Sequence, residues 1–88
     1  MRSPTFLARI QITLKPSVLD PQGAAVTKAL GALGFDEVSD IRVGRYIEAR
    51  LAAPDEEAAR QRVAAMCDAL LANTVIERYK FTLAEEAS

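Results

Sequence analysis

Few side chains in this sequence could perform chemistry. The 88 residues include no histidine and a single cysteine, Cys67. This composition excludes Ser-His-Asp and Cys-His catalysis, zinc sites made of histidine and cysteine, and an intrachain disulfide. Cys67 falls in an apolar helical pattern between Met66 and Leu70, where a cysteine usually serves as a small hydrophobic core residue. We therefore predict no catalytic, metal-binding or cofactor-binding residue in this chain.

The acidic residues and the glycines do not supply a ligand site either. The consecutive acids Asp55, Glu56 and Glu57 are explained by the first turn of a helix, where negative charge interacts favourably with the helix dipole. The four glycines, at positions 23, 31, 34 and 44, match neither GxGxxG nor GxxxxGK, so no phosphate-binding loop is predicted. With 11 basic and 12 acidic side chains, the net charge of −1 argues against nucleic acid and anionic membranes as partners.

The polar residues of greatest interest lie around two turns. In the segment from Leu14 to Gly23, Asp20 is predicted to cap a helix that begins at the next residue, a proline. The second group surrounds Gly44 and has large side chains with polar tips, a type that is enriched at protein interfaces. We predict that seven residues of the two groups contact partner proteins: Lys15, Asp20, Gln22, Arg42, Gly44, Arg45 and Tyr46.

Strands and helices must position these residues. Apolar and polar residues alternate from Ala8 to Leu14 and from Val75 to Leu83, which is the period of a half-buried strand. A first helix is predicted from residue 20 to residue 33, stopped by Gly34. A second helix begins at residues 54–57; its predicted buried stripe is Ala59, Val63, Met66, Cys67 and Leu70, with Asn73 at its C-terminal end.

The segment from Asp40 to Leu51 also alternates, and it keeps its phase through Gly44. Because no turn pair such as Asn-Gly is present, one long strand bent at Gly44 is favoured over a hairpin. Such a strand would extend about 40 Å, more than one small domain covers. Part of it is therefore expected to pair with a second copy of the chain, giving a homodimer or a dimer of dimers.

The order β-α-β-α-β with two amphipathic helices predicts one α+β domain over residues 1–88. We expect a ferredoxin-like layer in which a small antiparallel sheet has the long bent strand at its centre and both helices on one face. The other face mixes charges of both signs, which fits a solvated surface or an interface. No apolar stretch of about 20 residues and no signal-peptide pattern is present, which predicts a cytoplasmic protein.

Three separated stretches resemble one known family. They are LKPSVLDPQG (residues 14–23), LGALGFDEVSDIRVGRYIE (residues 30–48) and MCDALLANTVIERY (residues 66–79). Their order and spacing resemble the PurS family, the small subunit of phosphoribosylformylglycinamidine (FGAM) synthase, over about residues 9–83. Ser17 and Thr74 depart from the family pattern, which usually has glycine and proline there; both should alter the stiffness of turns rather than the role of the chain.

The resemblance implies a PurS-like fold and a non-catalytic, homodimeric assembly subunit. Such a subunit joins the glutaminase PurQ to the ATP-dependent synthetase PurL in de novo purine biosynthesis. Glutamine supplies ammonia, and the synthetase uses it with ATP and magnesium to form a C–N bond. The complex is thus a ligase, whereas this chain alone is expected to show no activity and to bind no cofactor.

Two other functions remain open from the residues alone. Ferredoxin-like dimers of the ACT type bind small molecules, and ligand binding would raise the melting temperature of such a domain. A free-standing enzyme of the acylphosphatase type would need a phosphate-binding loop with an arginine and a catalytic asparagine. Asn73, the only asparagine, is predicted at the end of a helix, which argues against that enzyme.

Overall fold

The computed structural model describes residues 3–86. The class is as predicted: α+β, with a three-stranded antiparallel sheet and two helices. A π-helical turn over Cys67–Leu71 continues the second helix. In chain order the elements are β1 (Thr5–Leu14), α1 (Pro21–Ala32), β2 (Arg45–Ala52), α2 (Glu56–Met66) and β3 (Glu77–Glu86).

The core lies between the sheet and α2. β1 is the central strand, with β2 and β3 antiparallel on either side. Its even-numbered residues face α2, and Ile10 and Ile12 are fully buried against Val63 and Cys67. Cys67 is therefore a core residue, as predicted. Burial, with a smaller effect of Asp68, raises the pKa of its thiol, which opposes formation of the reactive thiolate.

The end of α2 differs from its prediction. The helix begins as expected, since the Asp55 side chain accepts a hydrogen bond from the amide of Ala58 at 2.7 Å. At Cys67, however, the wider π-helical turn begins, and each such turn holds one residue more than an α-helical turn. The inward stripe is thereby shifted by one position: Leu70 is 84% exposed, and Leu71 packs against the core instead.

The prediction of a long, central, bent strand is wrong. β2 has eight residues and lies at the edge of the sheet, and residues 39–44 form neither a strand nor a hairpin. The reason is a competing hydrogen bond: the amide of Val43 donates to the side chain of Asp20 at 2.8 Å instead of to a neighbouring strand. An eight-residue strand extends only about 26 Å, so its length no longer argues for pairing with a second chain.

The prediction that both helices cover one sheet face is also wrong, because α1 does not pack on the sheet. Its cap at Asp20 and its stop at Gly34 (φ +96°) are as predicted. Its apolar stripe is not buried, however, with Val26 40% and Leu33 74% exposed. The described residues span 58 × 28 × 14 Å with a radius of gyration of 17.1 Å, against about 12 Å for a compact domain of this length.

Among residues 3–86, no helix is both long enough and apolar enough to cross a bilayer.

Candidate functional site

One end of the sheet gathers most of the predicted contact residues. The turn between β1 and α1 lies there beside residues 39–44, which lead into β2. Tyr46 is separate, because it lies on the sheet face opposite α2. The six residues that come together are Lys15, Asp20, Gln22, Arg42, Gly44 and Arg45.

Asp20 joins the two segments of this site. One oxygen of its buried carboxylate (Oδ1) accepts from the amide of Gly23 at 2.9 Å, which caps α1. The other (Oδ2) accepts from the amide of Val43 at 2.8 Å. These bonds, first the one from Gly23 and then the one from Val43, hold the pKa of Asp20 below its ordinary value of 3.8. Asp20 is thus both the predicted helix cap and a tether for residues 39–44.

Arg42 adds hydrogen bonds at the same place, where the turn after β1, residues 39–44 and the starts of β2 and β3 meet. We call this place the junction. Its guanidinium donates from Nη2 to the carbonyl oxygens of Lys15 at 3.0 Å and Val18 at 2.8 Å. These are turn carbonyls, and a charged donor satisfies them better than a neutral one. The amide of Lys15 in turn donates to the carbonyl of Ile76 at 2.8 Å, so the start of β3 is held against the same turn.

Arg45 and Glu77 form a second tie across this end of the sheet. Both carboxylate oxygens of Glu77 accept from Arg45, at 2.7 and 3.0 Å. Arg45 also donates to the carbonyl of Leu71 at 2.7 Å, and Glu77 accepts from the amide of Asn73 at 2.7 Å. The pair therefore connects β2, β3 and the end of the π-helical turn. Arg45 has a structural role here that its sequence pattern did not indicate.

A hollow of about 170 Å³ lies over this junction. Three large apolar residues that adjoin Asp20, Leu71 and Ile76 in the sequence are strongly exposed: Leu19 at 78%, Leu70 at 84% and Val75 at 80%. Exposed apolar side chains are more typical of protein interfaces than of enzyme sites. The hollow is lined by Leu14, Asp20, Gln22, Val43, Gly44, Arg45 and Glu77.

The carboxylates and guanidinium groups of the junction are already bound to the protein itself. Asp20 and Glu77 accept hydrogen bonds from backbone amides, and Arg42 and Arg45 donate to carbonyl oxygens. A general acid or base must be free to exchange a proton with a reacting group. The arrangement therefore suits a rigid contact surface. Whether the predicted residues contact a partner stays a prediction.

Tyr46 occupies a different environment. Its hydroxyl donates to the carboxylate of Glu48 at 2.8 Å, and this hydrogen bond is the main reason why its pKa is raised above 10.0. Glu48 also lies 4.0 Å from Arg9 of β1. Tyr46 thus belongs to a polar cluster on the open face of the sheet, away from the junction.

Sequence reasoning missed Glu77 and the exposure of Leu70. The sequence does contain a signal for Glu77. It occupies an inward-facing position of β3, as Tyr79 and Phe81 do, where an apolar residue is expected. Arg45 likewise occupies an inward-facing position of β2. Opposite charges at inward positions of the two outer strands indicate a pair once the register is known. No comparable signal marks Leu70, because its exposure depends on the π-helical turn.

We expect Asp20→Asn to destabilise the chain nearly as much as Asp20→Ala. An asparagine offers one acceptor oxygen, whereas Asp20 uses two for two separate amides. Either variant should lower the melting temperature by about 5 °C or more, as lost helix caps do in small domains. Thermal denaturation followed by circular dichroism measures this. An Asp20→Asn variant that melts like the parent would contradict the two-amide role.

Stability should also fall in acid through Asp20 and Glu77. The bonds from Arg45, and then from Asn73, hold the pKa of Glu77 below its ordinary value of 4.5. A carboxylate whose pKa is lower in the folded than in the unfolded state stabilises the fold above its ordinary pKa, and this stabilisation is lost as the pH falls through the folded value. The melting temperature should be nearly constant from pH 7 to about 5 and then decline.

A Glu77→Gln variant provides the control for this pH dependence. It should melt below the parent at pH 7, and the two melting temperatures should converge as the pH falls through the folded-state pKa of Glu77. A difference between parent and variant that stays constant throughout the acid range would show that Glu77 does not act as a carboxylate.

Comparisons with known proteins agree on one family. The sequence profile described as "PurS: Phosphoribosylformylglycinamidine (FGAM) synthase" matches residues 7–85. The FGAM synthase subunit PurS of Synechocystis sp. is 56% identical over 81 residues, which cover 92% of this chain and 81% of that protein. A crystal form of Bacillus subtilis PurS superposes with a TM-score of 0.82 at 41% identity, covering 91% of this chain and 99% of that one.

A chain in the structure of PurLQS from Thermotoga maritima is also similar. Its TM-score is 0.83 at 29% identity, and the match covers 94% of this chain and 99% of that chain. The sequence profile, the relatives and the solved structures therefore agree over nearly the whole length described, and the chain belongs to the PurS family of FGAM synthase subunits.

Proposed function

We propose that this chain is the non-catalytic assembly subunit of an FGAM synthase complex, where it joins a PurQ glutaminase to a PurL synthetase. The observation that supports this most strongly is its match, over nearly all of its length, to a chain of the PurLQS structure. The reaction is formation of a C–N bond with glutamine as the amide donor, in purine biosynthesis. Within this proposal, ATP and magnesium are used by the synthetase subunit, and this chain binds neither.

The chemistry of the junction supports a role without catalysis. Its charged side chains cap a helix, tether loops and connect strands. Ammonia released by a glutaminase is lost by protonation and diffusion in bulk water, so a subunit that holds two active sites in register contributes to turnover without touching a reacting bond. A rigid contact surface is what such a subunit needs. We propose the cytoplasm as the location of this complex, in line with the expectation from the sequence.

The proposal also includes a homodimer. The feature that supports it is the exposed apolar stripe of α1, because the long strand expected from the sequence is not present. Val26 and Leu33 lie on the apolar stripe of α1 and are exposed in the single chain, as is Phe35 just beyond the helix, at 48%. A chain with a radius of gyration of 17.1 Å cannot bury this stripe against its own core. A second copy, whose α1 has the same exposed stripe, supplies a self-complementary surface.

The ACT-like alternative is not favoured, because the family match covers residues 7–85 and names FGAM synthase. A ligand-dependent rise in the melting temperature of the isolated chain would be needed to restore it.

Co-purification tests the assembly proposal. The tagged chain should retain untagged PurL and PurQ from the same organism, in the presence of glutamine and ATP. A matched column carrying the tag alone controls for non-specific retention. Failure of the folded chain to retain either subunit, with and without both substrates, would contradict the proposal.

A further inference from the structure

The open face of the sheet carries positive charge along one side. On β3, Arg78 and Lys80 are exposed and lie on the face opposite α2. Their partners in the strand register are Thr13 and Gln11 of β1, which lie beside them. Arg42 adjoins the end of this row, where it lines a hollow with Thr13 and Arg78. We call these five residues the basic strip.

The acids that the strands place on the open face lie away from the strip and already have partners. Glu48 accepts from Tyr46 and lies near Arg9, and Glu86 pairs with Arg50 at 2.9 Å. Among residues 3–86, neither Arg78 nor Lys80 forms an ion pair within 4.0 Å. The two cations of β3 therefore have no charged partner within the described chain.

The strip is continuous in shape as well as in charge. Three adjoining hollows of about 310, 430 and 410 Å³ follow it, and neighbouring hollows share Thr13, Arg78, Gln11 or Lys80. The charged side chains that line them are four cations and one carboxylate, although the whole chain has a net charge of −1. They are Arg9, Arg42, Arg78, Lys80 and Asp40.

The shape of this surface favours a protein partner over a small-molecule ligand. A small-molecule site encloses most of its ligand in one concave cavity, whereas these hollows follow one another along a sheet face. Arg78 and Lys80 are two residues apart on one strand, so their Cα atoms lie about 7 Å apart. Carboxylates at alternate positions of an extended segment have the same spacing, which allows each cation of β3 to meet one acid.

We propose that the basic strip docks an acidic, extended segment of a partner subunit in the FGAM synthase complex. The proposal rests on the assembly role given above and names the surface and the chemistry of the contact. Exposed cations that meet carboxylates across an interface increase the association rate and make binding sensitive to salt. The partner segment therefore carries aspartate or glutamate at alternate positions, and it leaves the exposed stripe of α1 available to a second copy of the chain.

Charge reversal tests the strip. Arg78→Glu and Lys80→Glu, singly and together, are compared with Arg62→Glu, which makes the same charge change at an exposed position of α2. Binding to purified PurL and to purified PurQ is measured by biolayer interferometry between 50 and about 300 mM salt. Melting temperature and sedimentation of each isolated variant are measured in parallel. All variants should fold and self-associate like the parent, because both strip residues are exposed.

The double variant should bind one of the two subunits at least tenfold more weakly than the parent at low salt, with a smaller dependence on salt. Arg62→Glu should bind within about twofold of the parent. Parent-like binding by the double variant would overturn the proposal, as would a change in self-association alone, which would assign the strip to a second copy. Saturable binding of phosphate or ATP to the isolated chain, lost in the double variant, would make the strip a small-anion site and would also overturn it.

These outcomes are separate from failure of the assembly role. If the parent chain binds neither subunit at any salt concentration, with and without glutamine and ATP, the proposed function itself is wrong. If the parent binds and the double variant binds equally well, only the location of the contact is wrong.

Discussion

Replacing Gly23 with alanine is expected to lower the free energy of unfolding by about 3 kcal/mol or more. A methyl group on Gly23 would overlap the carbonyl oxygen of Ile41 and press on the Asp20 carboxylate. The obstacle is largely backbone, which cannot rotate away as a flexible side chain can. Relief would require residues 39–44 to move off the start of α1, which would break the bond between Asp20 and the amide of Val43.

Gly31→Ala is the matched control for this prediction. Gly31 lies in the same helix, and a methyl group there would meet nothing within 4 Å. Since alanine favours a helix by about 1 kcal/mol over glycine, this variant should be slightly more stable than the parent. Urea denaturation of both variants measures the difference. A Gly23→Ala variant that is as stable as Gly31→Ala would show that residues 39–44 do not pack against α1 as described.

Placing an acid on the exposed stripe of α1 is expected to convert the proposed dimer to a monomer. Val26→Asp and Leu33→Asp add a charge where the proposed interface would bury an apolar side chain, and an unpaired buried charge is strongly unfavourable. In the single chain both positions are already exposed, at 40% and 74%. The fold of each protomer should therefore survive, so the loss should appear in self-association.

Sedimentation velocity at micromolar concentration measures this effect. Lys28→Asp also adds an acid to α1, but about 200° around the helix from Val26, so it should remain dimeric like the parent. Far-ultraviolet circular dichroism checks that each of these variants, and the double Val26→Asp/Leu33→Asp variant, folds. A parent that sediments as a monomer, or a double Val26→Asp/Leu33→Asp variant that remains a dimer, would contradict the role of α1.

Local structure in this chain follows from local sequence signals. Asp20 before a proline marked the start of α1, and Gly34 marked its end. Alternation located β1 and β3, and three acids marked the start of α2. In each case the physical cause acts within one turn of helix or along one strand, so the sequence alone contains it.

The placement of α1 and of residues 39–44 could not be read in this way. The amphipathic stripe of α1 predicts that an apolar surface will cover it, but the pattern cannot say whether that surface belongs to the same chain. The alternation up to Gly44 was equally misleading, because the amide of Val43 bonds to Asp20, 23 residues earlier in the chain. Such long-range contacts override a local period.

The junction shows the same division between local and distant effects. Lys15 and Gln22 are candidates because the turn beside them needs neither, and Arg42 is a candidate because it has a large, polar-tipped side chain near Gly44. Their positions together depend on the sheet register, which brings Arg45 to Ile12 and Glu77 to Leu14. Arg45 in particular ties strands together, so its substitution would disturb the fold as well as any partner contact. Among the candidates that line the hollow, Gln22 is the one whose exposed side chain has no evident role in the fold.

The most direct test of the assembly role is turnover by a reconstituted complex. PurL and PurQ are assayed with and without this chain, once with glutamine and once with ammonium chloride as the nitrogen source. We predict that glutamine-dependent formation of FGAM requires the chain, whereas ammonia-dependent formation by PurL proceeds without it, because the chain positions the subunits and takes no part in the chemistry. Equal glutamine-dependent turnover in its absence, or loss of both activities without it, would contradict the account.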